Sequence, residues 1–270
     1  MIGQELLLSK INKYEELPRF LILIGTKGCG KKTLSKMIAD KFGLEMIIIG
    51  TKIDEIRNMI NIANEAKSKL LFVIDEGDKM ILGAKNTLLK ITEEAPNNVY
   101  IILTSENSEL VLPTLLSRGE KHYFSDYKDE DFKKYCADKN IKYNTHCQMV
   151  LPNLSYLEKY SFEQIEEIYE LSNTVLDKIK IANAFNAFKL QEKLKIKDTD
   201  EGIELNVFVN CLYNLCLRKI IDNAYLFNND ACRYQLYNMK VISTIKQLLT
   251  KQNFSKSYIA DKLIIDLLSY

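Results

Sequence analysis

Phe20-Leu21-Ile22-Leu23-Ile24-Gly25-Thr26-Lys27-Gly28-Cys29-Gly30-Lys31-Lys32-Thr33-Leu34 is the stretch from which the rest of the chain is read. Five consecutive apolar residues predict a strand buried on both faces. The glycine-rich turn and the helical spacing that begins at Leu34 predict a tight loop and a helix start. Glycines in such a loop permit positive φ, so successive backbone N–H groups can turn inward toward an anion. The helix that follows adds the positive end of its dipole at the same point. Gly25, Thr26, Lys27, Gly28, Cys29, Gly30 and Lys31 form the GxxxxGK part of a P-loop, and the Lys31 ammonium suits the β- and γ-phosphates of a nucleotide. The next position departs from that pattern. A Ser or Thr hydroxyl normally meets Mg²⁺ there, but this chain has Lys32. Thr33 comes one residue late, about 100° further round a helix. The residues predict binding of ATP or ADP and leave Mg²⁺-dependent turnover as a separate question. Lys32 either covers part of the phosphate charge or turns to solvent. Cys29 is either a low-pKa thiol at a helix N-terminus or a small filler.

Bulk properties narrow the classes. The chain has 270 residues, 47% of them apolar, which fits two or three compact units rather than a disordered protein. A net charge of +1 supplies no global field for nucleic acid, so such binding would need a local basic surface. Six cysteines at 29, 136, 147, 211, 216 and 232 form no CxxC pair, which argues against zinc and against a disulfide frame. Scattered free thiols fit a reducing cytoplasm. The apolar runs are too short to span a bilayer, and the N-terminus does not read as a signal peptide.

Glycine and proline divide the chain. Nine of the ten glycines and all four prolines lie at or before Pro152; beyond it only Gly202 occurs. The first part should therefore be strand-turn-helix and the remainder almost entirely helical. Met46-Ile47-Ile48-Ile49 predicts a second buried strand and Leu70-Leu71-Phe72-Val73-Ile74 a third. Val99-Tyr100-Ile101-Ile102-Leu103 predicts a fourth, and His122-Tyr123-Phe124 a short fifth. Helical spacing appears at Leu34, Met37, Ile38 and Phe42, with Gly43 placed to end that helix. It recurs at Ile53, Ile56, Ile60 and Ala63, and at Ala84, Leu88 and Ile91. Strands alternating with helices imply an α/β fold with a parallel sheet covered on both faces. Past about Tyr127 only helices are expected, among them one opened by the capping box Ser161-Phe162-Glu163-Gln164. Leu176, Ile179, Asn183, Ala184 and Phe188 continue at helical spacing. Leu205, Phe208, Val209, Leu212 and Cys216 define a strongly amphipathic helix, and Lys195 to Gly202 is a plausible boundary.

Asp75-Glu76 follows the third strand, at the carboxyl end where α/β sheets bind ligands. Asp75 is placed to order Mg²⁺ through water, and Glu76 to orient or deprotonate an attacking water. Thr104-Ser105 is expected just past the fourth strand, beside that pair, as a water-positioning group or an ordinary turn. Ser117-Arg118 lies on the surface, with Arg118 either paired within the chain or reaching a neighbour's phosphate. His122 and His146 have no carboxylate or cysteine partners at useful spacing and read as structural.

These residues together resemble the AAA+ clamp-loader subunits, which include the bacterial gamma and delta-prime subunits, the small subunits of replication factor C, and phage counterparts. The similar stretches are Ile2-Gly3-Gln4, the loop 25–33, and Val73-Ile74-Asp75-Glu76-Gly77-Asp78-Lys79-Met80. They continue through 84–96 and Ile102-Leu103-Thr104-Ser105-Glu106-Asn107, and end with Leu112-Pro113-Thr114-Leu115-Leu116-Ser117-Arg118-Gly119. The resemblance implies a P-loop AAA+ core over 1–127, an all-α lid over 128–197, and an all-α collar over 198–270 that drives oligomerisation. It makes Asp75-Glu76 the Walker B pair and Ser105 the sensor-1 position. Arg118 becomes a finger acting in trans on ATP held by an adjacent subunit. It implies as partners the other subunits of a pentameric ring, a sliding clamp and primer-template DNA, in a bacterial or phage-infected cytoplasm. Arg57 and Lys85 fall near the helix starts that would face DNA. Four departures accompany it: Lys32 at the Mg²⁺ position, Gly119 in place of the finger's cysteine, no zinc insert, and no sensor-2 arginine in the lid. They fit a diverged subunit like delta-prime, with weak or absent hydrolysis. The other readings are an active ATPase motor subunit, or another AAA+ remodeller such as a helicase loader.

Overall fold

The computed structural model describes residues 1–179, 204–225, 229–249 and 255–269, which divide into two units, Met1–Asp131 and Phe132–Tyr270. Asn183, Ala184, Phe188, the Lys195–Gly202 boundary and the expected lid–collar division at 197/198 lie outside the described residues.

The first unit is built on five parallel strands: β1 (Phe20–Ile24), β2 (Glu45–Ile49), β3 (Leu70–Ile74), β4 (Val99–Ser105) and β5 (Glu120–Tyr123). Their order in the sheet is β2-β3-β4-β1-β5. Ile24 pairs with Ser105 across β1 and β4, and Ile74 with Leu103 across β3 and β4. Five helices belong to this unit: α1 (Glu5–Asn12), α2 (Lys31–Phe42), α3 (Ile53–Glu65), α4 (Leu82–Glu93) and the short α5 (Pro113–Leu116).

Successive side chains of a strand point to opposite faces, so two cores form and residue parity sorts them. Phe20, Ile22, Ile24, Phe72, Ile74, Ile101 and Leu103 pack with Ile56, Met59 and Ala63 of α3 and Ala84, Leu88 and Ile91 of α4. Leu21, Leu23, Leu71, Val73 and Ile102 pack on the other face with Leu7 and Ile11 of α1 and Leu34 and Ile38 of α2. The five-residue apolar runs of β1 and β3 are buried throughout, because both faces are covered. Gly43 ends α2 in the left-handed conformation, φ +62°, with the cap N–H bonded to Ala39 O.

Three expectations are corrected. Met46–Ile49 was expected to be buried, but β2 is the outer strand of the sheet; Ile48 is 55% exposed and Ile49 is the one buried residue of the strand. Thr104 and Ser105 were expected past β4, but both lie inside it. The fifth strand begins earlier, at Glu120 and not His122, and His122 is its buried position.

The described part of the second unit is all-α: α6 (Asp129–Lys139, which begins at the end of the first unit), α7 (His146–Val150), α8 (Phe162–Ile179), α9 (Leu205–Tyr225), α10 (Asn229–Leu249) and α11 (Lys256–Leu268). The capping box opens α8 as expected: Gln164 N donates to Ser161 Oγ at 3.3 Å, and Ser161 N to Gln164 Oε1 at 2.8 Å. The helix from Leu205 is amphipathic, as expected. Leu205, Phe208, Val209, Leu212 and Cys216 are all buried, together with Val207, Cys211 and Leu215, where α9 is packed by α7, α8 and α10. Asn206, Leu217, Arg218, Ile221 and Asp222 form an exposed stripe on the other side. No helix among the described residues is long and apolar enough to cross a membrane.

Candidate functional site: the loop between β1 and α2

The loop after β1 is anchored at its base and open at its rim. Gly25 N donates to Ser105 O at 3.1 Å, which ties the loop to the end of β4. A Cβ at Gly25 would lie 2.7 Å from Phe124 Cβ and 2.8 Å from Cys29 Sγ, so no side chain fits there. Gly28 and Gly30 take φ of +83° and +101°, the region that lets backbone N–H groups converge. Gly30 is the N-cap of α2, whose first turn contains no acidic residue, so the helix's positive end is not neutralised by its own side chains. Thr26, Lys27 and Gly28 face solvent.

Cys29 is buried, and its backbone carbonyl accepts the Tyr127 hydroxyl at 3.0 Å. Burial pushes its thiol up and the Lys31 ammonium only partly offsets this, so Cys29 is a filler and not a thiolate. Lys31 Nζ donates to Gly25 O and, at 3.0 Å, to Thr26 O. The ammonium is thus held by the loop's own carbonyls.

The acidic turn after β3 faces this loop. Asp75 Oδ1 accepts the Thr104 hydroxyl at 2.7 Å, and Asp75 Oδ2 accepts Lys32 Nζ at 2.8 Å. Burial raises the Asp75 carboxyl, but Lys32 and Thr104 together outweigh it, and the net shift is downward. Glu76 adopts φ +54°, unusual for a residue with a Cβ, and its N–H donates to Thr104 Oγ1 at 3.1 Å. Its carboxylate pairs with Lys79 at 2.8 Å, and this hydrogen bond raises the Lys79 ammonium. A Cβ at Gly77 would come within 2.3 Å of Leu103 Cδ1, so glycine is needed where the turn lies against β4.

Of the expected Thr104-Ser105 pair, Thr104 is the residue that reaches Asp75. Ser105 is fully buried and donates to Asn107 O at 2.8 Å, within its own turn. Glu106 escaped the sequence reading. Burial and Asp78 raise its carboxyl while Lys31 and Lys27 pull it down, which places a further acid within the field of the loop lysines. Its position directly beyond a strand that ends at the site was the available signal.

The other candidates lie elsewhere. Arg118, just past α5, donates Nη1 to Thr114 O at 2.8 Å and pairs through Nη2 with Glu93 of α4. Arg57 is paired with Asp54 at 3.3 Å on the surface of α3, and Lys85 Nζ donates to Leu110 O at 2.7 Å. His122 is buried, with Nε2 2.9 Å from the Tyr14 hydroxyl and, against expectation, 3.5 Å from Glu120 Oε1; burial lowers its pKa and Glu120 only partly offsets this. His146, in the second unit, does have an acidic partner: Nδ1 lies 2.9 Å from Glu166 Oε1, and the ring stacks on Tyr169 at 3.6 Å. Twenty residues of chain separate that pair, which is why sequence spacing did not reveal it.

The donors at the loop do not fit Mg²⁺ held in the usual P-loop manner. Mg²⁺ takes oxygen ligands in a near-octahedral arrangement. Here the hydroxyl position is Lys32, whose ammonium already bonds the Asp75 carboxylate. Thr33, the third residue of α2, is exposed. Among the described residues no cluster of three or more His, Cys, Asp or Glu is arranged to hold a metal ion.

The chain is similar to several known proteins. A family model described as DNA polymerase III, delta subunit, matches residues 45–128. The replication factor C large subunit of Methanococcus aeolicus is 32% identical over 214 residues, covering 70% of this chain and 41% of that protein. The DNA polymerase III subunit gamma/tau of Mycoplasma genitalium is 24% identical over 245 residues, covering 76% of this chain and 38% of that protein. The chain thus spans less than half the length of these relatives. Among solved structures, the Thermotoga maritima RuvB Holliday junction branch migration motor superposes with a TM-score of 0.47 at 19% identity, covering 83% of this chain and 78% of that one. Through the loop at 25–33, the acidic turn at 75–76 and the parallel sheet that holds them together, this chain carries an AAA+ core of the kind found in clamp-loader subunits.

Proposed function

We propose that this chain is a clamp-loader subunit that binds ATP or ADP and helps load a sliding clamp onto primed DNA, with weak or absent hydrolysis of its own. The observation that carries this reading is the contact between Lys32 and Asp75 at 2.8 Å, beside a loop otherwise shaped for phosphates. The loop amides, the α2 N-terminus and Lys31 provide for binding. Turnover needs a metal and a water held in line, and here Asp75 is engaged by Lys32 and Thr104 while Glu76 is engaged by Lys79. In this reading the chain contributes to a ring of subunits, Arg118 acts on the nucleotide of a neighbour, and Arg57 and Lys85 lie toward DNA. The region 1–127 is the core, 128–197 the lid and 198–270 the collar.

Glu76→Gln tests the assignment in a reconstituted loader. The assembly's ATP turnover should stay within about twofold of wild type. A fall of about tenfold or more would make this chain a motor subunit, because removing a catalytic base costs that much or more. Retention of a sliding clamp by the reconstituted complex is expected, and its absence would favour a different AAA+ remodeller.

A further inference from the structure

The phosphate tail of a nucleotide carries several negative charges, which a P-loop ordinarily shares among its amides, its lysine and a divalent cation. In this chain a second cation is part of the backbone-anchored site itself. Lys32 extends from the first turn of α2 to the end of β3, where its Nζ lies 2.8 Å from Asp75 Oδ2. The opposite oxygen of that carboxylate is fixed by Thr104, which is fully buried. The ammonium is therefore held at one end by the helix and at the other by a carboxylate that cannot easily move. Its side chain remains 61% exposed, so it can still be approached by a ligand. An ammonium has three donors and no lone pair, so it can bond a carboxylate and a phosphate oxygen at once. Lys27 and Lys31 lie on the same loop, where the first turn of α2 contains no acid and Glu106 shares their field.

We propose that Lys32, held by Asp75, is a built-in counter-cation for the nucleotide's phosphates, so that this chain binds ADP and ATP without Mg²⁺. This rests on the nucleotide-binding reading above and specifies the ligand as the metal-free nucleotide. The ammonium takes the position from which a hydroxyl would hold the metal, and Asp75 serves as its tether in place of a ligand to the metal's water shell.

Calorimetric titration of the full chain with ADP, in buffer containing millimolar Mg²⁺ and in buffer containing EDTA, tests the idea. The two dissociation constants should agree within about threefold. Lys32→Thr, which restores a hydroxyl and removes the ammonium, should weaken binding in EDTA by about tenfold or more, roughly one charge-assisted hydrogen bond. Added Mg²⁺ should then strengthen binding to that variant. Lys32→Arg keeps the charge and should retain binding in EDTA, with circular dichroism confirming that both variants are folded. A wild-type affinity that falls about tenfold when Mg²⁺ is removed would overturn the counter-cation role and leave nucleotide binding intact. No heat of binding in either buffer would remove both readings.

Discussion

Thr104 links two residues of the acidic turn through one hydroxyl. It donates to Asp75 Oδ1 and accepts from the Glu76 N–H, and it is fully buried. Thr104→Val keeps the shape and removes both bonds, leaving a backbone donor and a carboxylate oxygen unsatisfied. It should lower stability by about 1–3 kcal/mol in urea unfolding, and Thr104→Ser should recover much of the loss. The Lys32–Asp75 pair gives a pH signature. The Asp75 carboxyl lies below its ordinary value of 3.8, so the pair stabilises the fold above that pH and the contribution is lost as pH falls through the lowered value. Lys32→Met should therefore be less stable than wild type near neutral pH and indistinguishable from it in strong acid. The difference should be below about 1 kcal/mol, because the lysine is mostly exposed and screened. The loop glycines, Lys31 and Asp75-Glu76 were legible in the sequence because each depends on local pattern. The choice between Thr104 and Ser105 was not legible. It depends on β4 running on through both, so that alternation turns one hydroxyl to Asp75 and the other to its own turn. Lys32 was read as either facing phosphate or facing solvent, and its contact with Asp75 required knowing that the start of α2 and the end of β3 are neighbours.

Among the elements, the apolar runs identified β1 to β4, since uninterrupted β-branched and aliphatic residues are what a two-sided burial selects, whereas β5 (Glu120–Tyr123) has no such run and buries only His122. The runs did not identify the edge of the sheet. Met46-Ile47-Ile48-Ile49 looks like β1 and β3 in composition, yet it ends the sheet, because strand order is set by crossovers and not by hydrophobicity. An exposed, unpaired strand edge with apolar side chains is a template for association. Ile48→Lys should leave the unfolding free energy within about 0.5 kcal/mol of wild type and reduce light scattering on heating, because a charged edge residue discourages strand pairing. Helical spacing gives the inner faces of α3, α4 and α9, each of which keeps an exposed stripe opposite its buried residues. It fails at one position of α2, where Met37 is 42% exposed.

For the molecule as a whole, the distribution of glycine and proline was the most informative feature of the sequence. It separates the sheet-bearing unit from a second unit whose described residues are entirely helical apart from short turns. What composition did not convey is how Arg118 is held. Its guanidinium is committed to Glu93 and Thr114 of the same unit, although both members of the Glu93 pair are partly open to solvent. An ion pair of that kind contributes about 0–1 kcal/mol and weakens as salt rises. The arginine is therefore parked rather than locked. A docking subunit that brings phosphate to it has only a shallow rest position to overcome, and Glu93→Gln should empty that position in advance. If Arg118 serves a neighbour, Glu93→Gln should make the assembled loader's ATP turnover less responsive to moderate salt, while Arg118→Ala should lower it by about 10³-fold. Glu93 would then act as a holster that keeps the guanidinium pointed and available until a neighbouring subunit arrives.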